Sequence, residues 1–157
     1  MDTDRFADAP PVELPSHRAI ENLIARYAEL VDTGDFAGLA DLLADARLTL
    51  DDRETLDGRD AVQRLTRETL VLYDDGTPRT RHVTTNVLAE VDEASGTAMA
   101  RSYFTVFQAL PDFPLQAVAS GRYRDRFERR DLGWRFVERQ VSTDFLGDVS
   151  HHLRGPS

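Results

Sequence analysis

The pattern of apolar residues changes its period once along this chain, near residue 78. Before that point, apolar residues recur every three or four positions, which is the period of a helix packed on one side. After it, apolar and polar residues alternate over about 80–92, 97–109, 115–130 and 134–145. Long alternating segments joined by short links predict an antiparallel meander, and the preceding helices must then cover one face of its sheet.

Three helices are predicted in the first half of the chain. The first begins with Ser16 as its N-cap residue and ends at Gly34. Its apolar stripe consists of Ile20, Leu23, Ile24, Tyr27, Ala28 and Val31. A second, short helix is predicted over 36–43 and a third over 58–73, with a short strand at 47–51 between them.

Together these segments predict a single α+β domain over residues 16–146, in which three N-terminal helices cover a cone-shaped, curved antiparallel sheet. A chain of 157 residues can bury one such core. Prolines in the arm at 1–15 prevent a helix there, and this arm is expected to be flexible. The tail at 147–157 shows no clear period. The link at 111–114 is longer than the others and is expected to form a rim.

Charge and missing residue types exclude several classes of function. The net charge of −9 disfavours a nucleic-acid binder, because such proteins follow phosphates with basic surfaces. The absence of Cys excludes disulfides and thiolate catalysis. Every basic residue is Arg, so Schiff-base and pyridoxal chemistry and a Walker-type phosphate loop are excluded as well. No apolar run is long enough to span a membrane and no signal peptide is evident, so a cytoplasmic location is expected.

Tyr27 and Asp32 lie at the end of the first predicted helix. Five residues correspond to about 500° of helical rotation, so the two side chains converge only if the helix ends or tightens near Asp32. The Thr33-Gly34 pair favours such an end. Asp32 is then either part of a solvated turn or directed into a cavity just beyond the apolar stripe.

His82 is the second candidate for chemistry. On a strand, His82, Thr84 and Asn86 share one face, which indicates either solvent or a pocket with a polar lining. Histidine exchanges protons near neutral pH, and a carboxylate partner would orient it and raise its basicity. Asp32 is the candidate partner.

Other polar residues have simpler interpretations. Arg122, Arg124 and Arg126 alternate along one strand and are expected to face solvent. The His151-His152 pair is expected to lie in a mobile tail, because adjacent histidines lack the spacing of a metal site. With four histidines, no Cys and no spacing in which two histidines could bind together with a nearby carboxylate, no metal is expected.

The order of several motifs resembles the SnoaL-like branch of the nuclear-transport-factor-2-like superfamily, over about residues 16–146. These motifs are Tyr27-Ala-Glu-Leu-Val-Asp32, Gly58-Arg-Asp-Ala-Val, Arg81-His82-Val-Thr-Thr-Asn86 and the run GRYRDRFERRDLGWRF from Gly121 to Phe136. The resemblance implies a cone with an interior pocket, and a homo-oligomer of two or three copies.

Within that superfamily, the chain is similar to scytalone dehydratase, bile-acid dehydratase and hexachlorocyclohexane dehydrochlorinase, which use an Asp–His pair without metal or organic cofactor. The resemblance places the family Asp at Asp32, the family His at His82 and the dehydratase Tyr at Tyr27. An arginine of the dehydrochlorinase falls on Arg129, or on Arg130 if the register slips by one.

The chain also departs from those enzymes. Val106 and Thr143 stand where the bile-acid dehydratase has a carboxylate and an arginine, and Tyr27 stands where the dehydrochlorinase has a lysine. Only the acid/base pair is therefore carried over. The candidate catalytic residues are Asp32, His82 and Tyr27, and the candidate substrate-binding residues are Asn86, Tyr103, Phe104 and Arg129.

The favoured function is an enzyme that dehydrates, isomerises or cyclises a hydrophobic, oxygenated small molecule such as a polyketide, an aromatic compound or a steroid. The alternative is a ligand-binding protein without turnover or a structural oligomer, and a contact between Asp32 and His82 favours the enzyme. The small subunit of a ring-hydroxylating dioxygenase shares the fold but would need a large partner chain that carries iron.

Overall fold

The structure, a computed structural model, describes residues 14–131 and 133–155. Three helices and six strands follow one another along this part of the chain. In order, they are α1 (Ser16–Asp32), α2 (Phe36–Leu42), β1 (Arg47–Leu50), β2 (Glu54–Asp57), α3 (Arg59–Thr69), β3 (Thr80–Asp92), β4 (Thr97–Leu110), β5 (Phe113–Arg130) and β6 (Gly133–Leu146). The predicted α+β order, with helices before a long meander, is confirmed.

All six strands form one sheet in the order β2-β1-β6-β5-β4-β3. Strands β3 to β6 are the predicted antiparallel meander. The sheet is mixed and not purely antiparallel, because β1 pairs with β6 in parallel. The long stretch of chain between them, with α3 and four strands, provides the crossover that a parallel pair requires.

Register shifts occur in the pairing of β3 with β4, of β4 with β5 and of β5 with β6. An extra residue on one strand bends that strand and increases its twist. Repeated bulges therefore curve the sheet, which remains open between its edge strands β2 and β3.

The helices lie against the concave face of the sheet. Helix α1 packs on β3 and β6, and α2 packs on α1 and α3. One buried apolar cluster joins the helices to the sheet near the β3–β4 and β5–β6 turns, which form the narrow end. It includes Ile20, Ile24, Leu39, Leu43, Val62, Phe127 and Phe136. A second cluster lies towards the β4–β5 turn, which forms the wide end. It consists of Phe104, Val106, Phe113, Val118 and Tyr123.

Three local predictions are wrong. Strand β2 was not predicted; it is four residues long and pairs with β1 through a turn in which Asp51 and Asp52 have positive φ. The expected rim at 111–114 is a short hairpin link, because β5 already begins at Phe113. Ser16 is not the N-cap of α1. Pro15 takes that position, and the Ser16 hydroxyl accepts a hydrogen bond from Trp134 instead.

The C-terminal segment, residues 147–155, returns to the body of the protein. The amide of Gly147 donates to the carbonyl of Val118, and Leu153 forms a β-bridge with Leu70. The expectation of a mobile tail is therefore wrong for His151 and His152, which the segment holds against the wide end of the sheet. Most of the expected N-terminal arm, residues 1–13, lies outside the described residues, as do 156–157.

None of the described helices is both long enough and apolar enough to cross a membrane.

Candidate active site

Asp32 is the last residue of α1, and the chain turns sharply beyond it. The amide of Gly34 donates to the carbonyl of Val31, and the amide of Asp35 donates to Leu30. This pair of bonds is a Schellman motif, with Gly34 at the left-handed position that glycine adopts without strain. The helix thus ends where the Thr33-Gly34 signal predicts, and Asp32 is left at its tip beside β3.

The structure brings Asp32 and His82 together. The Nδ1 atom of His82 lies 2.6 Å from Oδ1 of Asp32. The backbone amide of His82 donates to Oδ2 at 2.8 Å, and the Thr80 hydroxyl donates to Oδ1, also at 2.8 Å. The side chains of His82 and Asp32 are only 9% and 10% exposed. Both carboxylate oxygens are therefore engaged, and the imidazole is fixed relative to its own backbone.

These contacts determine the charge of Asp32. Burial alone would raise the pKa of the carboxyl group, but the hydrogen bonds and charge of His82, together with the Thr80 hydroxyl, lower it below its ordinary value. Asp32 is consequently a carboxylate at neutral pH and accepts a hydrogen bond from the Nδ1–H group. That assignment leaves the lone pair of Nε2 on the far side of the ring as the basic position of His82.

The alternation of β3 places His82 and Thr84 on the inner face, but Asn86 does not join them. A bulge between Thr85 and Leu88 interrupts the register with β4, and Asn86 within it has a φ of 56°. The bulge reverses the alternation, so Asn86 is exposed and Val87 takes the inner position. The prediction that Asn86 lines the pocket with His82 is wrong.

Aromatic rings occupy the interior next to the dyad, and two of the predicted residues are among them. Phe104 is buried and stacks on Tyr123 with a centroid distance of 4.6 Å. Tyr27 meets Tyr123 edge-on at 5.8 Å. Burial raises the pKa of Tyr123 well above its ordinary value, and the neighbouring Tyr27 and the carboxylates of Asp125 and Asp32 add to this effect. The phenol of Tyr123 therefore lies within the electric field of the dyad.

A buried ion pair lies deeper in the cone, and sequence reasoning missed it. Arg139 on β6 donates from Nε and Nη2 to the two oxygens of Asp125 on β5, at 2.7 and 2.9 Å. Both side chains are 0% exposed. The guanidinium carbon lies 3.7 Å from the ring centroid of Tyr123 and 4.1 Å from that of Tyr27. The remaining Nη1 is buried without a partner among the residues described.

One signal in the sequence could have revealed this pair. Asp125 lies between Tyr123 and Phe127 on the face of β5 opposite the exposed arginines, and that face is buried. A carboxylate at an inward position requires a buried base as its partner. The prediction that Arg122, Arg124 and Arg126 face outward is confirmed, since all three are exposed.

Two other predicted residues lie elsewhere. Tyr103 is adjacent to Phe104 on β4 and so faces outward, where it is 53% exposed. Arg129 binds Glu93 beside the β3–β4 turn and lies over the Trp134 ring. That turn is about 30 Å along β3 from His82, given the rise per residue of a strand. Arg130 is also exposed, so neither arginine reaches the dyad.

His152 approaches the dyad from the C-terminal segment. Its ring meets that of His82 at a tilt of 65°, with 6.2 Å between the centroids. Burial and the charge of His82 lower the pKa of His152 to about 4, which outweighs the opposing effect of Asp32. His152 is therefore a neutral imidazole at physiological pH.

A cavity of about 570 Å³ opens beside the dyad, between the end of α1 and the start of β3. Asp32, Thr80, Arg81, Phe107 and Leu115 form part of its wall, whereas His82 and Tyr27 do not line it. Elsewhere within 14–131 and 133–155, no three His, Asp or Glu side chains converge in a way that would hold a metal ion.

Comparison with known proteins agrees with this architecture. The model of the SnoaL-like domain matches residues 12–140 of the chain. The chain belongs to the SnoaL-like family. No protein with curated annotation matches it.

Solved structures of this family give the same fold. A nuclear-transport-factor-2-like protein with a cystatin-like fold from Novosphingobium aromaticivorans is 26% identical, with a TM-score of 0.68 over 82% of this chain and 81% of that one. A variant of Rv3472, a protein of unknown function from Mycobacterium tuberculosis, is 30% identical, with a TM-score of 0.67 over 83% and 72%.

A further Novosphingobium aromaticivorans protein, provisionally assigned as a scytalone dehydratase, is 24% identical, with a TM-score of 0.67 over 84% of this chain and 86% of its own. At that identity the likeness shows the shared fold. Family membership and the expected cone-like architecture are thus established.

Proposed function

We propose that this SnoaL-like protein is an enzyme that moves protons on a hydrophobic, oxygenated small molecule, with Asp32 and His82 as a cofactor-independent acid/base pair. The observation that carries the proposal is the 2.6 Å contact between His82 Nδ1 and Asp32 Oδ1 within the fold. A general base needs a defined tautomer and a fixed direction, and this contact supplies both.

The reaction begins at Nε2 of His82. This atom removes a proton from a carbon next to a carbonyl or similar activating group, while Asp32 stabilises the imidazolium that forms. The carboxylate does not take the proton itself, since its lowered pKa keeps it ionised. The imidazolium then returns its proton, either to a departing oxygen or to another carbon of the substrate.

The interior supports a substrate of this class. Phe104, Val106 and Val118 belong to a buried apolar cluster of the interior, and such surroundings suit a hydrophobic skeleton. Tyr27 and Tyr123 carry hydroxyl groups in the interior, and their raised pKa values keep them protonated and able to donate. Such donors stabilise the negative charge that develops on a substrate oxygen when the neighbouring carbon loses its proton.

Dehydration, isomerisation and cyclisation share this first step and differ in the second. Loss of a hydroxyl group gives dehydration, return of the proton elsewhere gives isomerisation, and attack of the carbanion within the molecule gives ring closure.

The test begins with a thermal-shift screen of polycyclic phenols, polyketides and steroids, followed by turnover assays on the compounds that bind. Asp32→Asn is expected to lower kcat by about a hundredfold or more, because the amide cannot stabilise the imidazolium. His82→Ala is expected to abolish turnover and to leave the ligand Kd within a few fold, since apolar walls supply most of the affinity.

Asp35→Asn is the matched control. It removes the same charge three residues away, from an exposed side chain that caps α2 without touching His82. Its kcat should equal that of the wild type. If the wild type binds ligands but turns none of them over, or if Asp32→Asn turns them over normally, the acid/base function is excluded and the protein is a binder.

A further inference from the structure

The side chain of His152 is a buried polar group that the proposed reaction does not use. It is 6% exposed and lies edge-on to His82, the proposed base. Its Nδ1 has no hydrogen-bond partner within the part of the chain that the structure describes. A buried polar atom without a partner costs about 1–3 kcal/mol, so such an atom next to a reactive group points to a ligand.

Anchoring the C-terminal segment does not explain the imidazole. Backbone atoms anchor the segment. The carbonyl of His152 accepts a hydrogen bond from the amide of Val71, and the amide of Arg154 donates to the carbonyl of Thr69. The carbonyl of His151 accepts from the Tyr73 hydroxyl at 2.6 Å and from Gln108 at 3.0 Å. A leucine at position 152 would keep all of these bonds and would leave no orphaned nitrogen.

We propose that His152 is a substrate-binding residue of the active site, and that its ring hydrogen-bonds an oxygen of the molecule on which His82 acts. The C-terminal segment then completes the site as well as covering it. The proposal rests on the proposed function in that it shares the same site and substrate class, and it adds a specific requirement, namely a hydroxyl or carbonyl oxygen within reach of both histidines.

A neutral imidazole suits this role. The pKa of His152 is lowered to about 4, so the ring stays uncharged at neutral pH and does not repel the imidazolium that forms on His82. It can donate from one nitrogen and accept at the other, and it does not compete with His82 for the charge of Asp32. A second protonated histidine at this distance would instead oppose proton transfer to His82.

The test uses two aromatic probes of similar shape, 2-naphthol and 2-methylnaphthalene, with Kd values measured by fluorescence titration. The wild type is expected to bind 2-naphthol more tightly. His152→Leu should weaken 2-naphthol binding by about tenfold, the equivalent of one net hydrogen bond, and leave 2-methylnaphthalene within twofold. His152→Asn should restore most of the preference, because the Asn amide places a polar atom where Nδ1 lies.

His151→Leu is the matched control, since its ring contacts the Ser150 hydroxyl and lies against Phe113, away from the dyad. Neither Kd should change in that variant. The proposal is overturned if the wild type does not distinguish the probes, if His152→Leu keeps the preference, or if it weakens both probes equally, as a purely structural residue would.

This outcome is separate from that of the acid/base proposal, because binding of these probes involves no proton transfer. A lost preference in His152→Leu together with normal turnover in Asp32→Asn would remove the proposed chemistry and keep the binding role. An unchanged preference in His152→Leu together with an inactive Asp32→Asn would remove the binding role of His152 and keep the proposed chemistry.

Discussion

The Asp32–His82 and Asp125–Arg139 pairs both bury a carboxylate beside a basic side chain, but their surroundings differ. Asp32 is held by a backbone amide and a hydroxyl as well as by His82, at the tip of a helix and next to an open cavity. Asp125 and Arg139 have no exposed surface and lie among the rings of Tyr27, Tyr123 and Phe136. Asp32 of the first pair is open to a cavity, whereas both side chains of the second pair are sealed from solvent.

The comparison indicates that the two pairs have different roles. Burial alone would lower the pKa of Arg139, but Asp125 raises it far above the ordinary value, so this pair is a fixed pair of charges. It sets the field around the two tyrosines and does not exchange protons. Proton exchange is left to His82, where the carboxylate is satisfied by several donors and the ring can accept a proton without leaving a charge unpaired.

The largest effect that would test this comparison is the loss of one partner from the deep pair. Arg139→Leu leaves the Asp125 carboxylate buried without compensation, and the free energy of unfolding should fall by about 3–5 kcal/mol. Urea denaturation measures it. Replacing both residues with leucine should cost much less than the single change, because no buried charge remains.

Arg122→Leu is the control for that experiment. Arg122 forms the same two-point contact with Asp144, at 2.9 and 3.0 Å, but on the exposed face of the sheet. Its removal should have little effect on stability, because water solvates the remaining carboxylate. Equal losses in Arg122→Leu and Arg139→Leu would show that burial does not distinguish the two pairs.

A smaller effect on the free energy of unfolding is expected from pH, and His152 beside the dyad contributes to it. The folded-state pKa of His152 is about 4 and the ordinary value is 6.5. Between these values the unfolded chain binds a proton that the folded protein does not, so stability is complete above pH 6.5 and falls as the pH drops toward 4. The shift corresponds to a loss of about 3 kcal/mol across this window.

His152→Asn removes the titrating ring, so its unfolding free energy should change less than that of the wild type between pH 7 and pH 4.5. The groups that face His152 are His82 and Asp32. Asp32 contributes in a lower window: its folded pKa lies below the ordinary 3.8, so its stabilisation is complete above that value and is lost at lower pH. Identical pH slopes in wild type and variant would mean that His152 is not buried as a neutral ring.

The sequence was sufficient to predict the elements that have a long, regular pattern. The stripe of α1 and the alternation of β3 to β6 each repeat over many residues, so single exceptions do not hide the period. Strand β2 contains a single apolar residue, Leu56, among its four, so it shows no alternation. The bulge at Asn86 interrupts the alternation at one point and so leaves no repeated pattern in the sequence. The only signal is the asparagine itself, one of the few residues that tolerate positive φ.

The site was predictable only in part. Asp32 and His82 were paired from their residue types and from the motif order, and the helix end at Gly34 explains why they meet. Arg139 was missed because its partner lies on another strand, and sequence spacing does not show which inward residues face each other across a sheet. Arg129 was a candidate because an arginine of the dehydrochlorinase falls on it, and such a match does not show whether the side chain reaches the interior.

The smallest effect is therefore expected at Arg129. Its guanidinium binds Glu93 at the surface and lies 5.3 Å from the centre of the Trp134 ring, the only tryptophan in the chain. Arg129→Ala should change neither turnover nor the Kd of 2-naphthol, since about 30 Å of strand separates it from His82. Trp134 fluorescence should shift, because the cation above the ring is lost, and this shift would show that the substitution acts locally. A weaker affinity for 2-naphthol in Arg129→Ala, with the free energy of unfolding unchanged, would mean that ligands reach the narrow end of the cone. The assignment of proton exchange to the wide end and of fixed charges to the interior would then be wrong.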